Sequence, residues 1–245
     1  MMRQMKVCVL MPTYNNRGTV GNIVERLLDY CYDIIVINDG CTDDTARILD
    51  LFEERITVVD FEENRGKGYA LKRGFAKARA MGFNYAITID SDGQHFPEDI
   101  PLFIEALKQH PGSLIVGSRN LNQKNMPGQN TFANKFSNFW FKIQTGISLP
   151  DTQTGFRLYP LRRLPNLDRI TARYEAELEL LVFSAWRGLD LIPIKVNVYY
   201  PKGEKRVSHF RPFWDFFRIS ALNTILCLIA IVYGWPSRLI RKHSI

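Results

Sequence analysis

From Lys6 to Ser118 the chain alternates two kinds of apolar pattern. The runs "KVCVLM", "DIIVIN", "ITVVDF", "YAITID" and "SLIVGS" are rich in Val and Ile and apolar at successive positions, the mark of strands covered on both faces. Between them, Thr19 to Asp29, Asp43 to Glu53, Gly68 to Ala80 and Pro97 to Lys108 carry apolar residues at helical spacing. Gly82 closes the third of these helices, and Pro97, Glu98 and Asp99 open the fourth. Such alternation predicts an α/β fold with a mostly parallel sheet flanked by helices.

After Ser118 the alternation stops. Phe132, Phe136, Phe139, Trp140 and Ile143 recur at roughly helical spacing among Asn134, Lys135, Asn138 and Lys142, which suits either a core-packing helix or one at a membrane interface. "RYEAELELLVFSAWRG" predicts a helix ended by Gly188, and "LDLIPIKVNVYY" a further strand. The run from Ile219 to Trp235 has no charged residue and is flanked by Arg218 and by Arg238, Arg241 and Lys242. It is slightly short for a comfortable bilayer crossing, so surface-lying, re-entrant and crossing helices all fit, as does a helix packed on the domain or in a dimer interface.

With 245 residues, 46% hydrophobic and 23% charged, the chain has the makings of one substantial core. Cys8, Cys31, Cys41 and Cys227 form no C-x-x-C pair and no cluster with histidine, so neither a disulfide framework nor a zinc site is suggested, and a reducing compartment fits best. The first apolar run is too short for a signal sequence and reads as a first strand. A net charge of +7 suits nucleic acid, an anionic membrane or a phosphorylated ligand without choosing among them.

In parallel sheets ligands bind where the strands' carboxyl ends meet their loops. Here those loops are "PTYNN", "NDGCTDDT", "ENRGKGYA" and "DSDGQH", none of them a dinucleotide or P-loop motif. Asp90 and Asp92 straddle Ser91, so an extended backbone points both carboxylates the same way. They repel unless a cation intervenes, and Mg²⁺ or Mn²⁺ binds through one or two carboxylates together with substrate phosphates. Gln94 offers an amide oxygen, and His95 is a further candidate ligand for Mn²⁺ beside a role in packing. A lone D-x-D is also ordinary turn chemistry. Joined to Asp39 at a neighbouring strand end and to the amides and Lys67 of "NRGKG", it describes a nucleoside-diphosphate pocket.

"VCVLMPTYNN", "VINDGCTDDT", "NRGKGYALKRGFAKA", "ITIDSDGQHFPED", "VGSR" and "DTQTGFRLYP", in this order, resemble the motifs of the inverting family 2 glycosyltransferases with the GT-A fold. They look most like the branch containing dolichol-phosphate mannose synthase and bacterial polyprenyl-phosphate sugar transferases. The resemblance covers roughly residues 6 to 210. It implies a GT-A-like, Rossmann-like catalytic domain over residues 1–210, and residues 211–245 as a hydrophobic membrane-associated segment. Pro12, Tyr14 and Asn16 would line the base and ribose pocket with Asp39 on the base, and Lys67, Asp90 and Ser91 would complete the donor site. Asp90, Asp92 and Gln94 would hold Mg²⁺ or Mn²⁺. Asp92, Arg157 and Glu177 are the expected catalytic residues, and Arg119, Arg206, His209 and Arg211 the acceptor-binding ones.

Three positions depart from that branch's pattern. Asn16 stands where glutamate is common, leaving guanine and uracil both open. Cys41 replaces a serine, with Thr42 available to cap the next helix. "KRVSHFR" replaces the usual "GxSK", which leaves the cation that meets the acceptor phosphate open.

The implied partners are a GDP- or UDP-linked sugar, a lipid acceptor and a membrane surface at its cytoplasmic face, with no nucleic acid. A polyprenyl phosphate acceptor is already ionised, whereas a hydroxyl acceptor of a lipid or polysaccharide needs a base. Glu175, Glu177, Glu179 and Asp151 are candidates for that base, or for orienting an arginine such as Arg157. Glu175 and Glu179 share a helix face, which makes at least one of them a solvated or ion-pairing residue. The non-enzymatic alternative is a membrane-docked nucleotide-binding module without catalysis.

Overall fold

A computed structural model of the protein describes residues 2–31, 33–119, 128–167, 171–199 and 212–237. Seven strands form one sheet: β1 (Val7–Thr13), β2 (Ile34–Asn38), β3 (Thr57–Asp60), β4 (Tyr85–Thr88), β5 (Leu114–Arg119), β6 (Arg157–Pro160) and β7 (Leu191–Val196). Their order is β3-β2-β1-β4-β6-β5-β7. β6 runs antiparallel to both β4 and β5, and the other pairs are parallel.

The helices are α1 (Met2–Met5), α2 (Val20–Leu28), α3 (Thr45–Asp50), α4 (Lys67–Ala80), α5 (Ile100–Gln109), α6 (Gly128–Thr145), α7 (Glu175–Trp186) and α8 (Pro212–Ile229). α8 runs on into a wider π-helical turn, Ala230–Gly234.

Alternation along the strands divides the core into two layers. Cys8, Leu10, Ile35 and Ile37 face a layer with Phe75, Tyr159, Leu181 and Trp186. Val7, Val9, Met11, Ile34 and Val36 face the opposite layer with Ile23, Phe103 and Phe156. Both faces of β1 and β2 are therefore covered, and an unbroken Val/Ile run is what such strands require.

The alternating half follows the pattern, with a shorter second helix: α3 spans Thr45–Asp50 and turns follow it. β6 is the element the pattern did not announce. Because it is reversed, its amino end meets the carboxyl end of β4, with Thr88 opposite Arg157. The loop "DTQTG" is thereby delivered to the edge of the sheet where "DSDGQH" lies. α7 is enclosed on nearly every side and buries Glu175, Glu177 and Glu179 alike, so neither Glu175 nor Glu179 is the solvated residue that one of the two expected alternatives had. In α6, Phe141 is buried and Phe139 exposed, so its aromatic residues serve the core and a surface at once.

Candidate active site

β1 lies inside the sheet between β2 and β4, and the loops leaving these three strands are tied to one another. Asn16 Nδ2 donates to Tyr14 O and to Ser91 Oγ, each at 3.0 Å. Ser91 Oγ donates to Pro12 O at 3.1 Å, and Thr19 Oγ1 to Ser91 O at 2.5 Å. Pro12, Tyr14, Asn16 and Ser91 thus come together, with Asn16 acting as a donor, which an ionised glutamate cannot do. Asn15 Oδ1 accepts from Thr42 N at 2.8 Å, and Thr45 N donates to Asp43 Oδ1 at 2.9 Å. The start of α3 is therefore served by Asp43, while Thr42 belongs to the inter-loop tie.

Asp39 is buried, and its two oxygens accept the amides of Arg65 (2.9 Å) and Gly66 (2.8 Å). Burial raises its pKa against the pull of these amides and of the charges on Arg173 and Arg65. Its carboxylate fixes the loop that carries Lys67. Gly66 opens α4 at φ +94°, a conformation that favours glycine.

Lys67 Nζ sits between Asp90 Oδ1 at 2.6 Å and Glu177 Oε2 at 2.9 Å. Burial opposes its charge, yet the two carboxylates hold its pKa well above the ordinary lysine value. Gly155, on the loop before β6, backs directly onto this cluster. A Cβ there would lie 2.6 Å from Asp90 Oδ2 and 2.9 Å from Lys67 Nζ. "DTQTG" therefore contributes an absence of side chain at the point where Asp90 is seated. Asp92 Oδ1 accepts from Gln94 N at 3.0 Å, shaping the turn through Gly93.

The arginines are placed otherwise than expected. Arg157 is fully buried and donates to Glu177 O (2.7 Å), Thr152 O (2.8 Å) and Tyr159 Oη (3.1 Å). Rather than facing an acceptor, it clamps α7 to the loop before β6. Burial works against its charge, while Tyr159, Glu177 and Asp151 hold its pKa up. Arg119 forks onto Asp151 at 2.6 and 2.9 Å, and Asn134 Nδ2 adds a 2.6 Å bond to the same carboxylate. Burial pushes the Asp151 pKa up, but Arg119 and Asn134 bring it below the usual value, so Asp151 is a structural anion. Glu179 Oε2 accepts from Thr171 N at 2.7 Å and is likewise occupied. Arg206, His209 and Arg211 lie outside the described residues.

Gly155, Thr152, Tyr159, Asn134 and Arg173 are contributors that motif reading missed. Of these, Thr152, Gly155 and Tyr159 lie inside the motif "DTQTGFRLYP", which is the only pointer toward them.

Among the described residues no three His, Cys, Asp or Glu side chains gather into a metal cage. Asp90, Asp92 and Gln94 supply oxygen donors that suit a hard divalent ion completing its shell with diphosphate oxygens and water. His95 is buried against Phe156, and burial pushes its pKa down to about 4. It sits in packing, with Nδ1 lacking a partner.

Residues 8–162 match the sequence model of a family described as Glycosyl transferase family 2. The chain is 30% identical over 215 residues to the UDP-N-acetylglucosamine–dolichyl-phosphate N-acetylglucosaminyltransferase of Methanococcus voltae, covering 79% of this chain and 86% of that one. It is 26% identical over 216 residues to the undecaprenyl-phosphate mannosyltransferase of Micrococcus luteus, covering 83% and 88%. The glucosyl-3-phosphoglycerate synthase of Mycobacterium tuberculosis, solved with Mn²⁺, uridine diphosphate and glucosyl-3-phosphoglycerate, has the same fold. It superposes with a TM-score of 0.66 at 18% identity over 94% of this chain and 81% of that one.

Proposed function

The chain belongs to glycosyltransferase family 2, and from that premise we propose that it moves a sugar from a nucleoside-diphosphate sugar to a polyprenyl phosphate at the cytoplasmic face of a membrane. Residues 1–210 form the catalytic unit in this reading, and residues 211–245 the membrane-associated one. The observation that carries the donor half is the Lys67, Asp90 and Glu177 cluster beside Asp92. A cation and paired carboxylates at the strand ends support a diphosphate and its metal there. The acceptor half is supported by the relatives from Methanococcus voltae and Micrococcus luteus, whose names specify dolichyl and undecaprenyl phosphate.

Asp39 holds the Arg65 and Gly66 amides in place, so the loop bearing Lys67 is set before the donor arrives. Asp90, Asp92 and Gln94 would hold Mg²⁺ or Mn²⁺, as the Mn²⁺ and uridine diphosphate of the mycobacterial synthase support. When bound, the ion neutralises charge growing on the leaving diphosphate. Arg157 keeps Glu177 and the Gly155 loop in register with that site, acting from the core.

A hydroxyl acceptor is the second reading, and specific observations favour it. Arg119 is already paired with Asp151 and Arg157 is buried, which leaves the acceptor side less cationic among the described residues than the motifs implied. Glu177 Oε1, buried without a hydrogen-bond partner, is an atom at which a proton could be held. The mycobacterial synthase, which shares the fold, was solved with the non-lipid product glucosyl-3-phosphoglycerate.

Donor nucleotides ranked by thermal shift with Mn²⁺ identify the sugar. Turnover is then measured on polyprenyl phosphate and on a neutral glycolipid. With a phosphate acceptor, Glu177→Gln retains a measurable rate. With a hydroxyl acceptor it loses about two to four powers of ten while still binding donor. No donor binding and no transfer to either acceptor would sink both readings.

A further inference from the structure

The helical stretch Phe217–Ser237 is long and apolar enough to cross a bilayer, about 31 Å at 1.5 Å per residue. Its two sides have different fates. Leu222, Asn223, Leu226, Ala230 and Gly234 are buried against the catalytic domain, whereas Phe217, Ile225, Leu228, Ile231, Val232 and Trp235 face outward, Val232 being 80% exposed. Residues 217, 221, 224, 225, 228, 232 and 235 follow the three-to-four spacing of one helix face, and the only polar member of that stripe is Thr224.

The helix is pinned to the domain at its middle and at its end, Trp235 taking part through its indole N–H while much of its ring stays exposed. Gln144 Nε2 of α6 donates to Asn223 Oδ1 at 2.9 Å. Trp235 Nε1 donates to Ile143 O at 3.1 Å, and Ser237 Oγ to Trp186 O at 3.4 Å. Gly234 lies so close to the Trp186 indole that a Cβ would meet Nε1. A helix surrounded by lipid would have to break these bonds, expose Leu222 and Leu226 as the domain's uncovered core, and carry Asn223 into hydrocarbon.

We propose that this helix lies along one leaflet, with its Phe217–Trp235 stripe in the lipid and its Leu222–Gly234 face on the catalytic domain, beside an anionic headgroup layer. Charge argues for that partner. α6 and residues 217–237 contain no acidic residue, Lys135, Lys142, Arg187 and Arg218 are exposed, and the sequence continues with Arg238, Arg241 and Lys242. A second copy, also carrying a net charge of +7, would bring like charges together across the same stripe. The lipid partner rests on the membrane reading given above, but not on the chemistry of the acceptor.

The full chain is tested by flotation with phosphatidylcholine vesicles, with and without phosphatidylglycerol. Binding is expected with phosphatidylglycerol and is expected to fall about tenfold or more in Ile225→Glu/Leu228→Glu, with unchanged melting and unchanged donor-nucleotide shift. Depth is read from a fluorophore on Phe217→Cys, Leu228→Cys or Val232→Cys in a Cys41→Ser/Cys227→Ser background, using lipids with shallow or deep quenchers. Equal shallow depths are expected at all three positions. A shallow Phe217 with Leu228 and Val232 both deep would mean crossing and overturn the proposal. So would a dimer in sedimentation with no vesicle binding. Transfer to a water-soluble acceptor by a vesicle-binding protein would revise the acceptor and leave the docking intact.

Discussion

Lys67 and Asp90 form a 2.6 Å ion pair at the mouth of the sheet, and the same ammonium holds Glu177 of α7 at 2.9 Å. One cation therefore keeps two carboxylates from distant parts of the chain within a few ångströms of each other. Removing it in Lys67→Met leaves both uncompensated, and a loss of about 3–5 kcal/mol in chemical unfolding is expected. Lys67→Met/Glu177→Gln should recover part of that loss. A change under about 1 kcal/mol would class the contact with ordinary surface pairs.

Gly155→Ala tests the seat of Asp90 without touching a charge. The added methyl would lie 2.6 Å from Asp90 Oδ2, so the carboxylate has to move. Affinity for the nucleoside diphosphate in Mn²⁺, measured by calorimetry, should weaken about tenfold, or about 1.4 kcal/mol. Binding without metal should change less, and Asp92→Asn should remove the metal dependence altogether. Wild-type metal-dependent affinity in Gly155→Ala would show that Asp90 is not a ligand.

Arg157→Met deprives Glu177 O, Thr152 O and Tyr159 Oη of their common donor. Unfolding by denaturant should register about 3–5 kcal/mol of lost stability. Arg157→Lys should restore only part of it, because an ammonium cannot reproduce the guanidinium fork. Full stability with a raised KM for acceptor alone would return Arg157 to an acceptor-binding role.

The Arg119 and Asp151 pair makes a pH prediction. Asp151 has a folded pKa below that of the unfolded chain, so its contribution is fully present above about pH 4 and is lost as pH falls through the lower folded value. The stability gap between wild type and Asp151→Asn should therefore be largest at neutral pH and close progressively below about pH 4. A gap that widens on acidification would contradict the assignment.

The parts of this structure that sequence made legible are those whose determinants are local. Strands β1 to β5 and the helices between them announce themselves through period, and Asp39, Asp90 and Asp92 through their place at strand ends. β6 is four residues long, ends in Pro160, and pairs with residues some forty to seventy positions earlier, so nothing nearby in the chain marks it as a strand. The arginine roles failed for the same reason. Whether Arg157 meets a ligand or two carbonyls and a tyrosine hydroxyl depends on β6 and α7, and whether Asp151 is a base depends on Arg119 and Asn134. The burial of all three glutamates in α7 follows from its neighbours on nearly every side, which a helical wheel cannot display.

The reversed strand also sets the order in which the protein can acquire its activity. Among the described residues β6 is the only bridge between β4 and β5, and it is made after β5, with β7 still to come. A nascent chain that ends before residue 157 holds both aspartates of "DSDG" and the lysine of "NRGKG", but the two parts of the sheet are still unjoined. Closure then requires a long-range pairing whose loop entropy must be met before any local reward, and such steps are slow. Competence to bind nucleotide is thus expected late in biogenesis, once β6 has joined β4 to β5.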